Sequence, residues 1–244
     1  MEEFFIHVKA PFAAYRYFQA GNYRVTMPTM PHSAAYGLIL NLAGIETRTA
    51  KDEITTLIKP VSSEYQLGDL ETIPMLEISI GEIQNASKGS VYQQLHTYPV
   101  GNTSSHLAAG AKGAKYHILP TRREFITGLN VMIGIRTSLS GFMHRILKGL
   151  SGDTDNRYGL PFAGDNNYLI DFLEVYEKAI YPTIWYVPVL ADDIIETETV
   201  RLTVGIDRKD NSKTKSPLFA TTPEKSINPP ENAWVFTPYQ TTNL

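Results

Sequence analysis

The chain has 244 residues, of which 43% are hydrophobic and 19% charged, and its formal net charge is −3. These values are typical of a soluble globular protein with one large domain or two small ones. The sequence has no apolar run of the roughly 18 residues that a membrane span needs and no leader, and its lack of cysteine excludes thiolate nucleophiles and sulfur-ligated zinc.

The first predicted element is a strand over Phe4–Lys9, where apolar residues alternate. Residues 4, 6 and 8 are expected to face the core. The other set, Phe5, His7 and Lys9, is expected on an open face of the sheet. We expect a cytoplasmic protein with no membrane partner.

A helix is predicted to begin at Ser33, whose hydroxyl suits an N-cap, and to end before Gly44 at the C′ position. Apolar residues between them recur at helical spacing. Gly37 in the helix interior lowers helix stability, so we expect it to allow a close backbone contact.

The later elements follow from the same periodicities. A long segment of poor core-forming power, about 85–120, is predicted to project as an arm. The tail from 207 onward is expected to be irregular. Strands are predicted at 76–80, 129–135, 183–190 and 200–206, and helices at 139–150 and 167–179.

The order strand, helix, strand, strand, helix, strand predicts an α+β fold with a ferredoxin-like core, the arrangement of RNA-recognition modules. In this interpretation residues 1–206 form one domain and residues 207–244 a tail. An α+β fold whose C-terminal strands form a separate sheet is the alternative.

Charge is distributed unevenly along the chain. Between residues 85 and 148 eight lysines and arginines stand against one acid, Glu124, so this segment carries +7 and the remainder −10. Four of the six histidines lie in the same segment. Such asymmetry favours attraction of a polyanion, although a solvated basic face without a partner is also compatible with it.

Aromatic residues and arginines alternate after the first strand, at Tyr15, Arg16 and Arg24. Rings of this kind stack on bases while guanidinium groups pair with phosphates. The helix at Ser33 would add free amides and a positive dipole end. The alternative is that these rings are buried and the arginines pair with surface acids.

Enzymatic motifs are scarce. The sequence has no Walker A loop, no dinucleotide fingerprint, no zinc-protease motif and no Gly-x-Ser-x-Gly elbow, and we predict neither a cofactor nor a metal. A metal-independent ribonuclease needs only a base, an acid and a cation, for which Lys115, Tyr116 and His117 are candidates. Phosphate binding explains these residues equally well. A protein-only scaffold whose basic surface meets an acidic partner is a third hypothesis.

Four segments resemble the Cas-five family, the small end-capping subunits of type I CRISPR effector complexes (Cascade), and particularly its type I-B-like branch. The resemblance spans about residues 4–206. The segments are Lys9–Arg16 (KAPFAAYR), Met30–Glu46 (MPHSAAYGLILNLAGIE), Gln93–Pro99 (QQLHTYP) and Arg157–Asn167 (RYGLPFAGDNN).

The resemblance implies a ferredoxin-like core with a β-hairpin thumb inserted at about 85–120 and extra C-terminal strands. It implies a subunit that holds the 5′ handle of the CRISPR RNA (crRNA), for antiviral defence or RNA-guided DNA targeting. The implied partners are crRNA, the Cas-seven backbone subunit, the Cas-eight large subunit and, as an open option, target DNA.

We predict no catalytic residue. One branch of the family, in type I-C systems, cuts its precursor guide with a Tyr, Lys and His set, for which this chain offers Lys115, His117 and either Tyr36 or Tyr116. The residues predicted to bind RNA are Tyr15, Arg16, Arg24, Ser33, Lys112, Lys115, His117, Arg122 and Arg123.

Overall fold

The computed structural model describes residues 1–17, 23–45, 74–96, 118–153, 159–206 and 211–238. These residues form ten strands and two α-helices, which confirms the predicted α+β class. The strands are β1 (Glu2–Ala13), β2 (Tyr23–Arg24), β3 (Leu76–Glu82), β4 (Ser87–His96), β5 (Ile118–Thr137), β6 (Phe172–Tyr176), β7 (Ile184–Pro188), β8 (Thr199–Arg201), β9 (Leu218–Thr221) and β10 (Val235–Thr237), and the helices are α1 (His32–Leu42) and α2 (Phe142–Ser151).

The described strands join in one sheet with the order β6-β1-β5-β3-β7-β9-β8. Strands β2 and β4 pair with β5, and β10 pairs with β3. With β2 and β4 set aside, the chain runs β1, α1, β3, β5, α2, β6. The element types follow the predicted order, but β6 lies in a segment that was predicted to be helical. The C-terminal strands continue the same sheet through β7, so they do not form the separate sheet of the alternative.

Strand β5 has 20 residues and serves two parts of the molecule. Its second half pairs with β1 and β3 in the core, and its first half pairs with β4 over Ser87–His96. Gly128, with a φ of 70°, lies near the boundary between the two halves, and the pairing with β1 continues past it to the fully buried Ile126. A left-handed residue interrupts the regular pleat of a strand and redirects it. β4 and residues 118–127 of β5 thus form a two-stranded extension, here called the arm.

One face of the sheet packs on both helices. Alternate residues of the strands are fully buried there, together with apolar residues of α1 and with Phe142 and Ile146 of α2. The two helices approach each other closely at Gly149, where an added methyl group would overlap the carbonyl oxygen of Leu42. Gly37, by contrast, has nothing within 4 Å of an added Cβ, so the prediction of a close contact at that glycine was wrong.

The other face of the sheet is covered at two of the three positions where the sequence predicted an open surface, and the third, Lys9, is exposed. Phe5 and His7 are only 1% and 2% exposed. Phe5 packs in a second cluster with Trp185 and Trp234, and the His7 ring lies 4.9 Å from that of Tyr181. These covering residues follow β6 in sequence, so local alternation in β1 could not reveal them.

Helix α1 begins one residue earlier than predicted, and its N-cap is Pro31 in extended conformation. The Pro31 carbonyl accepts the amides of Ala34 and Ala35, at 2.9 and 3.0 Å. Ser33 therefore lies inside the helix, and its side chain makes no cap. The predicted end is correct, since Gly44 has a φ of 66° and follows the C-cap.

Two predictions for the second half of the chain were wrong. Residues 167–179 contain strand β6, not a helix, because Leu173 and Val175 pack on the core while Phe172 faces His7, the two-residue period of a strand. The tail beyond 207 is also not irregular. It supplies β9, which pairs with β7 and β8, and β10, which pairs with β3.

Candidate nucleic-acid interface

One face of the arm carries exposed aromatic and cationic side chains. In the hairpin register Tyr92 lies directly opposite Arg122, and Ser90 opposite Glu124. On the other edge of β5, β2 runs parallel and aligns Tyr23 with Arg122. Tyr92 is 76% exposed, and Lys88 is exposed two residues before Ser90. We call the set Tyr23, Lys88, Tyr92 and Arg122 the arm strip.

Arg122 lies at the centre of the arm strip, between Tyr23 and Tyr92. Its Nε and Nη2 donate to Ser90 Oγ at 3.2 and 3.1 Å, and its guanidinium carbon lies 5.2 Å from the centroid of the Tyr23 ring. Neither contact neutralises the positive charge, because a hydroxyl and an aromatic ring are its partners. The side chain is thus held in place with its charge available to an anion.

Glu124 is the one acid among the described residues of the arm, and its carboxylate is engaged in hydrogen bonds. It accepts the Tyr23 hydroxyl, and its second oxygen accepts the Thr26 amide at 3.1 Å. The first of these bonds raises the pKa of Tyr23. Glu124 therefore fixes β2 against the arm and orients the Tyr23 ring.

The predicted arginines lie at the root of the arm but not on one face. Arg16 is exposed, and its backbone bridges to Thr26. Arg24 is half-buried and aligned with Arg123. Since successive strand residues alternate, these two stand on the side opposite Arg122.

Arg123 is not available to RNA in this structure. It forms an ion pair with Asp165 and lies 5.7 Å from the Tyr168 ring centroid, and its side chain is only 10% exposed. Arg123 therefore presents no free charge in this structure, and its contact with RNA stays a prediction. A partner acid more than 40 residues away in the sequence decides this.

Tyr15 is also withdrawn from solvent. It is 2% exposed, and burial raises the pKa of its hydroxyl. The loop at Gly164 packs against its ring, and the Ala14 amide donates to the Ala163 carbonyl at 3.1 Å. The ring is therefore buried in this structure, as the alternative expected, and its contact with RNA stays a prediction.

Ser33 does not present a free amide to a phosphate. Its backbone N–H donates to the Thr203 carbonyl at 2.9 Å, and those of Ala34 and Ala35 bond to Pro31. The amides that were predicted to bind an anion at the start of α1 therefore already donate hydrogen bonds to backbone carbonyls. Three further candidates, Lys112, Lys115 and His117, lie outside the described residues.

Several cations that gave the segment its charge excess have partners elsewhere. Arg136 donates to Glu3 and Glu231, and its guanidinium lies 4.0 Å from the Trp234 ring. Arg145 Nε donates to the Ala43 carbonyl at 2.7 Å. The ion pairs of Arg123 and Arg136 with acids thus make the free positive charge smaller than the count suggests, and on the described arm that charge comes from Lys88 and Arg122.

A groove of about 550 Å³ opens beside the root of the arm. Glu82 and Tyr186 line its inner part, and the Tyr186 hydroxyl donates to Glu82 Oε1 at 2.9 Å. Burial raises the pKa of both groups. Lys88 also lines the groove, so it is continuous with the arm strip.

Tyr23 belongs to the cluster of aromatic residues and arginines that the sequence shows after the first strand, but the sequence did not indicate Tyr92 as a contact. Their position follows from the register of β4 and β2 against β5, which only the folded chain defines. The spacing of Lys88, Ser90 and Tyr92 at every second residue, in a segment that the resemblance implies to be a β-hairpin, was the available signal.

Among the described residues no group of three or more His, Asp or Glu side chains is placed to hold a metal ion. In the same part of the chain, no helix is both long enough and apolar enough to cross a membrane.

Comparison with known proteins finds similarity only at the level of structure. No family model and no curated protein matches the sequence. The fold is similar to a chain from a solved "CRISPR RNA-guided surveillance complex", with a TM-score of 0.55 and 12% identity over 92% of this chain and 90% of that one. A solved "Crystal structure of Cas protein" is more distant, with a TM-score of 0.42 and 10% identity over 92% of this chain and 94% of that one.

Proposed function

We propose that this chain is a non-catalytic RNA-binding subunit of a type I CRISPR effector complex that holds the 5′ handle of the crRNA. The observation that carries the proposal is the arm strip. It presents an exposed ring, Tyr92, beside a guanidinium whose charge is not neutralised, Arg122. A base that stacks on the ring brings its phosphate within reach of the cation.

The fold supports this proposal. The similar solved chain belongs to a CRISPR RNA-guided surveillance complex, and the match covers nine-tenths of both chains. The sequence segments described above resemble the Cas-five family independently of that match. The same proposal includes a ferredoxin-like core, a type I-B-like branch, a cytoplasmic location, and crRNA, Cas-seven and Cas-eight subunits as partners.

The path of the RNA is inferred from which face of the sheet is buried by other parts of the chain. RNA-recognition modules stack bases on the open face of the sheet. Here Phe5 and His7 on that face are buried under Trp185, Trp234 and Tyr181. We therefore propose that RNA runs along the arm strip, on the face that carries Arg122, and not across the central strands.

The absence of catalysis is part of the proposal. Tyr36, one candidate for a catalytic triad with Lys115 and His117, is buried, and its hydroxyl donates to the Pro74 carbonyl at 2.6 Å. That leaves Tyr116 for a ribonuclease site, and Lys115, Tyr116 and His117 all lie outside the described residues. A binding role for the chain requires none of them to react.

Replacing Tyr92 or Arg122 by alanine tests the arm strip. Each change should weaken binding of a fluorescent single-stranded RNA carrying the handle by about tenfold at low salt, since loss of one stacked base costs about 1–3 kcal/mol. Fluorescence anisotropy measures the affinity. Loss of one phosphate contact in Arg122→Ala should also reduce the slope of log affinity against log salt by about 0.7.

Lys178→Ala is the matched control. Lys178 is exposed between β6 and β7, at the other end of β1 from the arm. Lys178→Ala should bind the same RNA with an affinity within about twofold of the unaltered chain. Removal of an exposed charge far from the ligand has only a small effect, because salt screens it. Full affinity in both arm variants, or no RNA binding by the unaltered chain, would refute the proposal.

A further inference from the structure

The groove beside the arm has an ordered distribution of charge. Its inner part contains the half-buried carboxylate of Glu82 and the Tyr186 hydroxyl, which is only 6% exposed. Its rim contains the exposed side chains of Lys88 and Arg201, and also the exposed carboxylate of Glu198, which directly precedes β8. The acceptor is thus innermost and the cations are outermost.

The Glu82 carboxylate retains unused acceptor capacity. An ionised carboxylate accepts about four hydrogen bonds. Tyr186 donates one to Oε1, and among the described residues no cation forms an ion pair with Glu82. A half-buried acceptor of this kind favours a ligand that brings N–H donors with it.

The rim cations are available to the anionic end of the same ligand. Lys88 is exposed on β4, and Arg201 donates to the neutral Ser216 carbonyl at 3.2 Å, which leaves its charge uncompensated. Tyr17 adds a partly exposed ring to the groove wall. A ligand with a flat donor-bearing end and a phosphate end matches this order of groups.

A volume of about 550 Å³ is in the range of small-ligand sites, so one nucleotide fits. Among the four RNA bases guanine presents two adjacent N–H donors, N1–H and N2–H₂, that a carboxylate can accept together. The other three present a single such donor group on that edge. An acceptor at the bottom of the groove therefore discriminates in favour of guanine.

We propose that this groove is a base-reading site in which Glu82 accepts the Watson–Crick edge of one guanine of the bound RNA, while Lys88 and Arg201 contact its phosphates. The inference rests on the proposed function. It adds a sequence preference to a surface that would otherwise bind any single strand. Because Lys88 belongs to both the groove and the arm strip, a strand on the arm reaches the groove without a gap.

The test uses the full chain and four fluorescent octamers, U8 and U8 with one central G, A or C. Anisotropy at fixed low salt should show about tenfold tighter binding of the G octamer, the discrimination expected of a bidentate base contact. Glu82→Gln should abolish this preference, so that the G octamer binds no more tightly than U8. Its amide replaces one acceptor by a donor without changing the shape.

Glu77→Gln is the matched control, since Glu77 lies on the same strand outside the groove. It should keep the guanine preference. Thermal unfolding of both variants checks that each is folded. If Glu82→Gln fails to fold, the unaltered chain is used instead. The bound G octamer is then displaced by 5′-GMP or by 5′-UMP, and GMP is expected to displace it at a lower concentration.

The outcomes separate the two proposals. Equal affinity of the unaltered chain for all four octamers, or a guanine preference that survives Glu82→Gln, overturns the base-reading site and leaves the RNA-binding function intact. No binding of any octamer overturns both. If a tetra-arginine peptide binds in a manner that depends on Glu82 while guanine is not preferred, the groove receives a basic protein segment and the inference is wrong.

Discussion

At the residue scale, His32 shows what burial does to a titratable group at the start of α1. Its ring is fully buried and stacks on Phe219, with centroids 4.8 Å apart and an interplanar angle of 25°. Among the described residues neither of its ring nitrogens has a hydrogen-bond partner. Burial lowers the pKa of His32 to about 3. The folded protein therefore favours the neutral imidazole of His32 over the protonated imidazolium.

Stability should therefore fall as the pH is lowered from neutrality. Below pH 6.5 the unfolded chain takes up a proton at His32 that the folded chain excludes until about pH 3. The expected loss in free energy of unfolding between pH 7 and pH 5 is about 2 kcal/mol from this residue. His32→Leu should remove that loss, as measured by urea denaturation at both pH values.

The exposed His144 on α2 provides the control. His144→Gln should keep the pH dependence of the unaltered chain, because an exposed ring loses little hydration on folding. If His32→Leu and the unaltered chain lose the same free energy of unfolding between pH 7 and pH 5, His32 is not the source of the pH dependence.

Neighbouring arginines show how one strand position changes the role of a side chain. Arg122 stands on the arm strip with a hydroxyl and a ring as partners, and Arg123 is paired with Asp165 on the opposite side. In the sequence the two are equivalent. The two-residue period of β5 separates them, and the tertiary position of Asp165 removes one from the surface.

At the element scale, the two helices pack most closely at Gly149. A side chain there would overlap the Leu42 carbonyl oxygen, and backbone cannot move as a flexible side chain can. Helix α2 also depends on a distant residue at its start. The Glu2 carboxylate accepts the amides of Phe142 and Met143 at 3.0 and 3.3 Å, which supplies a cap that Gly141 lacks.

Alanine at Gly149 and at Gly37 should have opposite effects. Gly149→Ala should lower the free energy of unfolding by about 3 kcal/mol or more, since it forces α1 and α2 apart. Gly37→Ala should raise it by about 1 kcal/mol, because the site is open and alanine is the better helix former. Urea denaturation of the two variants measures both. A neutral Gly149→Ala would show that the helices are not in contact there.

At the scale of the whole molecule, the C-terminal tail completes the sheet. Phe219 of β9 is fully buried, β10 pairs with β3, and Trp234 packs against Phe5. The sheet thus crosses the boundary at 206 that the sequence suggested. The tail is part of the folded unit in this structure, and it also closes the face on which RNA-recognition modules bind.

A chain that ends at residue 206 should not fold cooperatively. Loss of a fully buried Phe side chain such as Phe219 costs about 3–5 kcal/mol, and the partly buried Trp234 and the backbone pairing of β9 and β10 are lost with it. Circular dichroism during thermal unfolding should show no sharp transition. Phe236→Ala, which trims an exposed ring of the same tail, should change stability by no more than about 0.5 kcal/mol. A cooperative transition in the shortened chain would restore residues 1–206 as an independent domain.

The strands with strict alternation could be predicted from the sequence. β1, β3, the core half of β5 and β7 lie where apolar periodicity put them, and α1 ends at the predicted Gly44. The projecting arm was predicted from a segment that has too few apolar residues for a core. Strand β6, within residues 167–179, could not be predicted. The positions of Leu173 and Val175 fit a short helix or a strand equally well, and only the pairing with β1 decides between them.

The sequence by itself determined the α+β class, the positions of the principal strands and the concentration of cations around the arm, because these depend on local periodicity and composition. Tertiary structure alone decided which of those cations and rings reach solvent. Tyr15 is buried under the loop at Gly164, Arg123 is paired with Asp165, and Arg122 is exposed beside Tyr92. A side chain's exposure depends on residues far away in the sequence that pack against it, and local pattern contains no information about them.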